Sequence, residues 1–394
     1  MTVEIAERAE ASGRLAIDTE FVSEGRYQAL LCLVQVATRE SASEDAVLPS
    51  EPREDAVLTE VLDPLDDLDP APLADTLADP QVEIVLHAGR QDVAILKRTW
   101  GTEITRVFDT QVAAAFLGYG AQEGYEALCR RVLDLSLRGN EGFTHWDRRP
   151  LTPAQLKYAR EDAAHLLELG EALRAQLVEA GRLEWALEEC AALERSSDAR
   201  DPDDVYARLP KIARLNVDQR GIARELVEWR ERSAREQGRP AGWLAPDQAL
   251  VEIARRGPRN KRELGDIRGV PKGTLHRRAE EVVAAVERGR GRAAPEPHGE
   301  RVRRDPGAAS VVGLAAALVR CRAAGNGLAP ELLATQAELK RLVTGVRGGE
   351  PEPPVRVLDG WRREVIGAEL LELLAGKVAL RVGPSGEIEV TRSS

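Results

Sequence analysis

The chain has 394 residues, of which 43% are hydrophobic, so it is long enough for two or three domains with ordinary cores. No apolar run looks long enough to span a bilayer, and the charged N-terminus predicts an amphipathic helix, not a signal peptide. The net charge is −11, but residues 205–304 hold 24 Lys and Arg against 14 Asp and Glu and have a net charge of +10. This block indicates either a phosphate-binding surface or a solvated helical face.

The first predicted elements are two strands joined by a turn. RLAIDTEF (14–21) begins as an apolar run and carries two acidic residues towards its end. YQALLCLVQVAT (27–38) is typical of a strand buried on both faces. Residues 40–80 then carry thirteen acidic side chains and one basic side chain. The pentad EDAVL occurs there at 44–48 and again at 54–58. We expect this duplication to lengthen an exposed loop or hairpin and to carry no chemistry.

The following segments alternate between strand and helix signals. VEIVLHAG (82–89) predicts a strand that stops at glycine, and RQDVAILKRTW (90–100) predicts the next helix. VFDTQVAAAFLG (107–118) is helix-like, with Asp109 as a candidate N-cap, and helix continues over 121–138. This order argues for an α/β layer domain.

The segment 151–173 has a clear helix start. Thr152 can cap the helix, Pro153 can take its first position, and Gln155 can complete a capping box. From about residue 205 the strand signal disappears. The rest of the chain is predicted as short helices, interrupted by a stretch rich in Pro, Gly and Arg at 289–307.

The four cysteines, Cys32, Cys129, Cys190 and Cys321, are far apart and include no Cys-x-x-Cys pair. This spacing argues against a disulfide framework and against a zinc site. We therefore expect reduced thiols in a cytoplasmic protein that has no membrane partner.

Four acidic residues lie at the ends of apolar segments. Asp18 and Glu20 are two residues apart on a strand, so both side chains leave the same face. Asp92 is near the start of a helix, and Asp162 lies one turn after Tyr158 on one helix face. Strand ends and helix starts meet at one edge of a doubly wound sheet, so these carboxylates are predicted to converge.

Four carboxylates in an apolar cleft repel one another and take up protons unless a cation compensates their charge. Two Mg²⁺ or Mn²⁺ ions prefer oxygen ligands and can promote phosphodiester cleavage, and Tyr158 could orient the attacking water. Taken singly, an Asp-x-Glu pair, a helix-start Asp92 and a Tyr158–Asp162 pair are more typical of structural roles. Their combination in this order favours a metal site.

Five segments resemble the ribonuclease D family, 3′–5′ exoribonucleases in the tyrosine-containing branch of the DEDD superfamily. The matching segments are IDTEF (17–21), HAGRQD (87–92), FDTQVAAAFLG (108–118), WDRRPLT (146–152) and YAREDAAHLL (158–167), in family order. The resemblance implies an RNase H-like α/β fold. It also implies metal ligation by Asp18, Glu20, Asp92 and Asp162, and a nucleophilic water positioned by Tyr158.

The same resemblance suggests three residues that line the substrate, namely Phe21, His87 and Trp146. For His87 and Trp146 the sequence does not separate a structural role from a substrate-lining one. Glu20 would also lie near the terminal 3′-hydroxyl.

Residues 208–275 are similar to an HRDC domain, the helical module shared by ribonuclease D and RecQ-type helicases. The positions expected to form its core are Leu250, Ile253, Ala254, Leu264, Ile267 and Val270. The cationic side chains expected to follow RNA phosphates are Arg255, Arg256, Arg259, Lys261, Arg262, Arg268 and Lys272. A weaker similarity over 359–382 suggests a second HRDC-like domain.

The implied organisation is an α/β RNase H-like exonuclease domain at 1–195, an all-α HRDC domain at 205–290, a linker at 291–307 and a second HRDC-like domain at 308–394. The implied function is metal-dependent trimming of RNA 3′ ends by a monomeric enzyme, with release of nucleoside 5′-monophosphates. Precursors of tRNA and other structured RNAs are the expected substrates, and two Mg²⁺ or Mn²⁺ ions are the expected cofactors.

Two alternatives stay open. The same fold could degrade DNA from the 3′ end, although the sequence shows no polymerase or helicase segment. The chain could also be a non-catalytic RNA-binding protein, although all five candidate site residues are present.

Overall fold

The computed structural model describes residues 1–40, 56–137, 145–294 and 307–392. The chain forms two compact units, each discontinuous in sequence. The first combines Met1–Glu20, Leu31–Ser197 and Asp305–Ser394, and the second combines Phe21–Leu30 with Asp198–Arg304. The domain limits drawn along the sequence stay a prediction, and most of the predicted linker lies outside the described residues.

A five-stranded sheet forms the centre of the first unit. Its strands are β1 Arg14–Val22, β2 Leu30–Arg39, β3 Val57–Leu62, β4 Glu83–Leu86 and β5 Val107–Asp109. They lie in the order β3-β2-β1-β4-β5, with β4 parallel to both β1 and β5 and with β2 antiparallel to β3. Strand β2 is buried along nearly its whole length, as its Leu- and Val-rich composition predicts.

Helices accompany this sheet, as the α/β prediction requires. In the described part of the chain up to residue 197 they are α1 Thr2–Ser12, α2 Ala71–Ala78, α3 Arg90–Trp100, α4 Thr110–Phe116, α5 Tyr125–Leu133, α6 Pro153–Ala164, α7 Leu166–Glu179 and α8 Leu183–Leu193. The capping box of Thr152 and Gln155 is present at the start of α6, with Pro153 as its first residue.

Two stretches differ from the prediction. Residues 107–109 form strand β5 ahead of α4, because Val107 and Phe108 are buried and pair with β4. The acidic stretch contains β3 and α2, neither of which the sequence indicated. The second EDAVL copy enters β3, where Val57 and Leu58 pair with β2. The first copy, at 44–48, lies outside the described residues.

The second unit is helical. Its helices are α9 Pro202–Ala207, α10 Val217–Gln237, α11 Ala241–Leu244, α12 Asp247–Arg256, α13 Lys261–Gly265, α14 Lys272–Arg277 and α15 Ala279–Gly289. All six positions predicted as its core are buried, at 0–8% exposure. Helices α10 and α15 approach so closely that a Cβ on Gly221 would lie 2.5 Å from the carbonyl oxygen of Gly289, so only glycine fits there.

The segment Phe21–Leu30 packs within this second unit through Tyr27. The Tyr27 ring is buried with Ala234, Ala241 and Leu244, and its hydroxyl donates a 3.1 Å hydrogen bond to Glu231 Oε2. The backbone nitrogen of Tyr27 donates to the carbonyl oxygen of Gly238 at 3.2 Å. Residues that follow directly after β1 in the chain are thus held by the helical unit.

The C-terminal segment belongs to the first unit. It contains α16 Ala308–Asn326, α17 Pro330–Leu333, α18 Gln336–Arg347, α19 Gly360–Arg362, α20 Ala368–Leu374 and the antiparallel strands β6 Val378–Val382 and β7 Ile388–Arg392. The sequence predicted mostly helix here and missed the two strands. They are short, and the residues GPSG between them supply the turn.

Helix α16 is long and apolar enough, by length and composition alone, to cross a membrane. The sequence had predicted no apolar run of this length. Core helices of soluble proteins pass the same test, and the side chains of Ala315, Leu318 and Val319 are buried in the hydrophobic core of the first unit. A single helix of this kind is weak evidence for a membrane span.

Trp361 joins the C-terminal segment to the exonuclease region. Its ring stacks on Trp185 at 5.4 Å between centroids and meets Phe116 edge-on at 4.9 Å. Beside it, the buried guanidinium of Arg362 forms an ion pair with Glu189 of α8. Burial raises the pKa of Glu189, but the hydrogen bonds from Arg362 and Trp361 and the charges of Arg362 and Arg356 together outweigh it and hold the pKa below its ordinary value.

Candidate active site

Strand β1 supplies two of the predicted carboxylates. Arg14, at its start, donates a 2.8 Å hydrogen bond to Glu171 of α7, so this face of β1 is directed towards α7. Side chains alternate along a strand, which puts Asp18 and Glu20 on the same face as Arg14. Both are partly exposed, so ions or substrate can reach them.

The third carboxylate, Asp92, lies in the first turn of α3 and is only 7% exposed. The hydroxyl of Thr19, which leaves the opposite face of β1 from Asp18, donates a hydrogen bond to Asp92 Oδ1. This bond ties the start of α3 to the strand that carries Asp18 and Glu20.

The turn before α3 is fixed by Asp109. Its carboxylate accepts hydrogen bonds from Gly89 N at 2.8 Å and from Ala88 N at 3.2 Å, in addition to capping α4. Gly89 must be glycine, because an added Cβ would lie 2.7 Å from Leu86 Cβ. The sequence indicated the cap, but it gave no sign that Asp109 also holds the turn that places Asp92.

Helix α6 supplies the other two predicted residues. Tyr158 and Asp162 are one turn apart, and the Tyr158 hydroxyl donates a hydrogen bond to the Asp162 carboxylate. The ring of Tyr158 lies 6.2 Å from that of Trp146, which is buried.

The electrostatics show that the four carboxylates lie near one another. Burial raises the pKa of Glu20 to about 8, and the charges of Asp162 and Asp92 add to this shift. Burial also raises the pKa of Asp18 well above its ordinary value, with further contributions from Asp92, Asp162 and Glu20. Burial brings the pKa of Asp92 to about 6 and that of Asp162 to about 7. This is the effect expected when several negative charges share one cleft.

The donor set fits a hard divalent cation. All four groups are carboxylates, and a cation among them would offset the burial and the neighbouring negative charges that raise their pKa values. Among the described residues, no three Asp, Glu, His or Cys side chains converge into a ready-made coordination shell. Mg²⁺ commonly keeps several water ligands beside one or two carboxylates.

Two of the three predicted substrate-lining residues have structural contacts. His87 Nδ1 lies 2.9 Å from the Thr110 hydroxyl, its ring packs 5.7 Å from that of Tyr125, and burial lowers its pKa. Trp146 is 2% exposed, and its Nε1 has no hydrogen-bond partner within the part of the chain that the structure describes. Phe21 is partly buried. Contact between these residues and substrate stays a prediction.

The predicted cationic surface belongs to the second unit, and all seven of its side chains are exposed. Arg255 and Arg256 both form ion pairs with Glu252, at 2.8 Å and 2.7 Å. Their charges are therefore partly compensated within their own helix.

Comparisons with known proteins agree with this geometry. Residues 2–178 match the family model described as 3′-5′ exonuclease, and residues 219–286 match the HRDC domain. Ribonuclease D of Jannaschia sp. is 37% identical, over 95% of this chain and 93% of its own length. Ribonuclease D of Granulibacter bethesdensis is 35% identical, over 93% and 89%.

A solved structure of Escherichia coli RNase D, described as an exoribonuclease involved in structured RNA processing, superposes with a TM-score of 0.82 at 26% identity. The match covers 95% of this chain and 96% of that one. Of the predicted fold class, the RNase H-like exonuclease domain and the HRDC domain that follows it are confirmed. The second, all-α HRDC-like domain stays a prediction, and residues 308–394 include the strands β6 and β7. With near full-length relatives above 30% identity, the chain belongs to the ribonuclease D family and is a hydrolytic 3′–5′ exoribonuclease.

Proposed function

We propose that this exoribonuclease trims RNA one nucleotide at a time from the 3′ end, using two divalent cations held by Asp18, Glu20, Asp92 and Asp162. The observation that carries the proposal is the raised pKa of these four carboxylates beside Tyr158, which comes first from burial and then from neighbouring negative charges. Divalent-metal dependence is a property of this exonuclease family, and Mg²⁺ or Mn²⁺ suits an all-oxygen site.

When bound, the cations would supply a nucleophilic water at neutral pH and neutralise charge on the scissile phosphate. Water oxygen attacks the terminal phosphorus, and the bond from phosphorus to the 3′-oxygen of the preceding nucleotide breaks. The products are a nucleoside 5′-monophosphate and an RNA shortened by one residue with a free 3′-hydroxyl.

In this proposal Tyr158 orients the attacking water. Burial and the neighbouring charges of Asp162 and Glu20 raise the pKa of Tyr158, so it stays a neutral phenol at physiological pH. Its proton is donated to Asp162, which leaves the phenol oxygen free to accept a hydrogen bond from water. Tyr158 is thus a positioning group and not a base.

Structured RNAs, tRNA precursors among them, are the proposed substrates, and the E. coli relative is described as acting in structured RNA processing. We also propose that the protein is monomeric and cytoplasmic and that its domains have the limits predicted from the sequence. Four free cysteines, three of them buried, fit a reducing compartment.

The test is a time course on 5′-labelled RNA with a single-stranded 3′ tail, run with Mg²⁺ and with EDTA. Wild-type protein should give a ladder that shortens from the 3′ end, and EDTA or Asp162→Asn should abolish it. Asp75→Asn is the matched control, because Asp75 is exposed on α2 of the same unit. RNA that stays intact with Mg²⁺ would refute the proposal.

The two alternatives have their own outcomes in this assay. Equal or faster degradation of a DNA oligonucleotide of matched sequence would identify a DNA exonuclease. Tight RNA binding without turnover, unchanged by Asp162→Asn, would indicate a binding protein.

A further inference from the structure

The second unit contains a surface cavity of about 490 Å³ on the side of α11 and α14. This volume is in the range of cavities that hold small ligands. Its lining includes Arg239, Trp243, Leu244, Arg277 and Arg278. The four candidate metal ligands and Tyr158 are in the other unit, so the cavity needs its own explanation.

Trp243 is the most unusual side chain of this cavity, because 62% of it is exposed. By contrast, Trp229 of the same unit is 1% exposed and donates a 2.9 Å hydrogen bond to Glu281. Gly25 lies against the edge of the Trp243 ring, because a Cβ added to Gly25 would lie 3.7 Å from Cη2 of that ring. An exposed indole held at the wall of a cavity is a ready stacking surface for a flat ligand.

The cavity is also cationic. Arg278 is paired with Glu281 at 2.9 Å, whereas the structure gives Arg239 and Arg277 no ion-pair partner among the described residues. The lining residues together carry a net charge of +2. On the cationic surface predicted from the sequence, Arg255 and Arg256 both form ion pairs with Glu252. The charges of Arg239 and Arg277 in the cavity are therefore less compensated by carboxylates than those of Arg255 and Arg256.

We propose that this cavity binds one nucleotide of single-stranded RNA, with the base stacked on Trp243 and the phosphate held by Arg239 and Arg277. Every base has a flat face, so such a site binds RNA without reading its sequence. The inference rests on the proposed function only in that it takes RNA as the ligand.

Binding is measured on the full-length chain by fluorescence anisotropy of labelled single-stranded RNA in EDTA, so that no cleavage interferes. Trp243→Ala should weaken binding by roughly tenfold or more, and Trp243→Phe should retain most of the affinity. Val217→Ala is the control, since Val217 is an exposed apolar residue of the same unit, at 65% exposure. Trp243→Ala should not change the melting temperature.

The salt dependence separates the two cationic surfaces. Replacing Arg239 and Arg277 together by Ala should reduce the slope of log affinity against log salt by about one to two. Replacing Arg255 and Arg256 by Ala should change the slope less. The opposite ranking, or a Trp243→Ala protein that binds RNA like wild type, would overturn the inference.

Failure of this inference is distinguishable from failure of the proposed function. A wild-type protein that shortens RNA with Mg²⁺, while Trp243→Ala has normal affinity, would leave the exonuclease in place and remove the cavity from its binding surface. A wild-type protein with no affinity for single-stranded RNA would overturn the cavity assignment directly.

Discussion

At the scale of single residues, the proposed function gives Tyr158 two partners: its proton goes to Asp162, and its oxygen accepts a hydrogen bond from water. Because burial and nearby charges raise the pKa of Tyr158, the phenol stays protonated at neutral pH.

We expect Tyr158→Phe to lower kcat about a hundredfold, the order of loss expected when a reacting group is misplaced. RNA affinity in EDTA should remain within about twofold of wild type, because the ring and its packing on Trp146 are retained. Single-turnover cleavage and anisotropy measure the two quantities separately. A proportional loss of binding and rate would mean that Tyr158 holds the substrate instead of the water.

Individual residues also show the limits of sequence reasoning. The helix cap by Asp109 was readable because its partners are the next residues along the chain. The bonds from Gly89 to Asp109 and from Thr19 to Asp92 span 20 and 73 positions, and no local pattern encodes them. The motif residues themselves were found because the resemblance covers five segments.

At the scale of elements, the packing of α8 against the C-terminal segment depends on Trp361. The three rings of Phe116, Trp185 and Trp361 form one cluster, and the indole nitrogen of Trp361 donates to Glu189 at 3.2 Å. The C-terminal segment is thus part of the packing of the exonuclease unit, so deleting it would remove part of that unit's hydrophobic core.

Trp361→Ala should lower the free energy of unfolding by about 3–5 kcal/mol, the usual cost of removing a buried Trp. Trp243→Ala, a truncation of an exposed Trp, should change it by less than about 0.5 kcal/mol. Chemical denaturation followed by circular dichroism gives both values. Equal effects of the two substitutions would contradict the burial described here.

Elements were predictable where a local signal was strong. The capping box of α6 and the apolar run of β2 needed no tertiary information. The strands β3, β5, β6 and β7 are short, and their identity comes from pairing with a neighbouring strand. Such pairing is a property of the folded chain and leaves little trace in composition.

At the scale of the whole molecule, the four clustered carboxylates link stability to pH and to metal. An unfolded carboxylate loses its proton near pH 4, whereas Asp92, Asp162 and Glu20 hold theirs up to pH values of about 6 to 8. Unfolding in that window therefore releases protons, so metal-free protein becomes less stable as the pH rises and levels off above it.

We expect the melting temperature in EDTA to fall between pH 5 and pH 8. Added Mg²⁺ should raise it more at pH 8 than at pH 6, because more carboxylates are charged and ready to bind the ion. Thermal melts at matched ionic strength test this, and Asp162→Asn should reduce both the slope and the response to Mg²⁺. A melting temperature that rises with pH in EDTA would contradict the electrostatics.

The position of Tyr27 has a consequence for biosynthesis. Its partner Glu231 is 204 positions further along the chain, so Tyr27 leaves the ribosome long before that partner exists. At ordinary translation rates the delay is on the order of 10 to 40 seconds. Throughout that time Tyr27, which follows β1 in the chain, lacks the side chains of α10 and α11 against which it packs in the folded protein. The nascent chain can complete this region only after α10 and α11 have been translated.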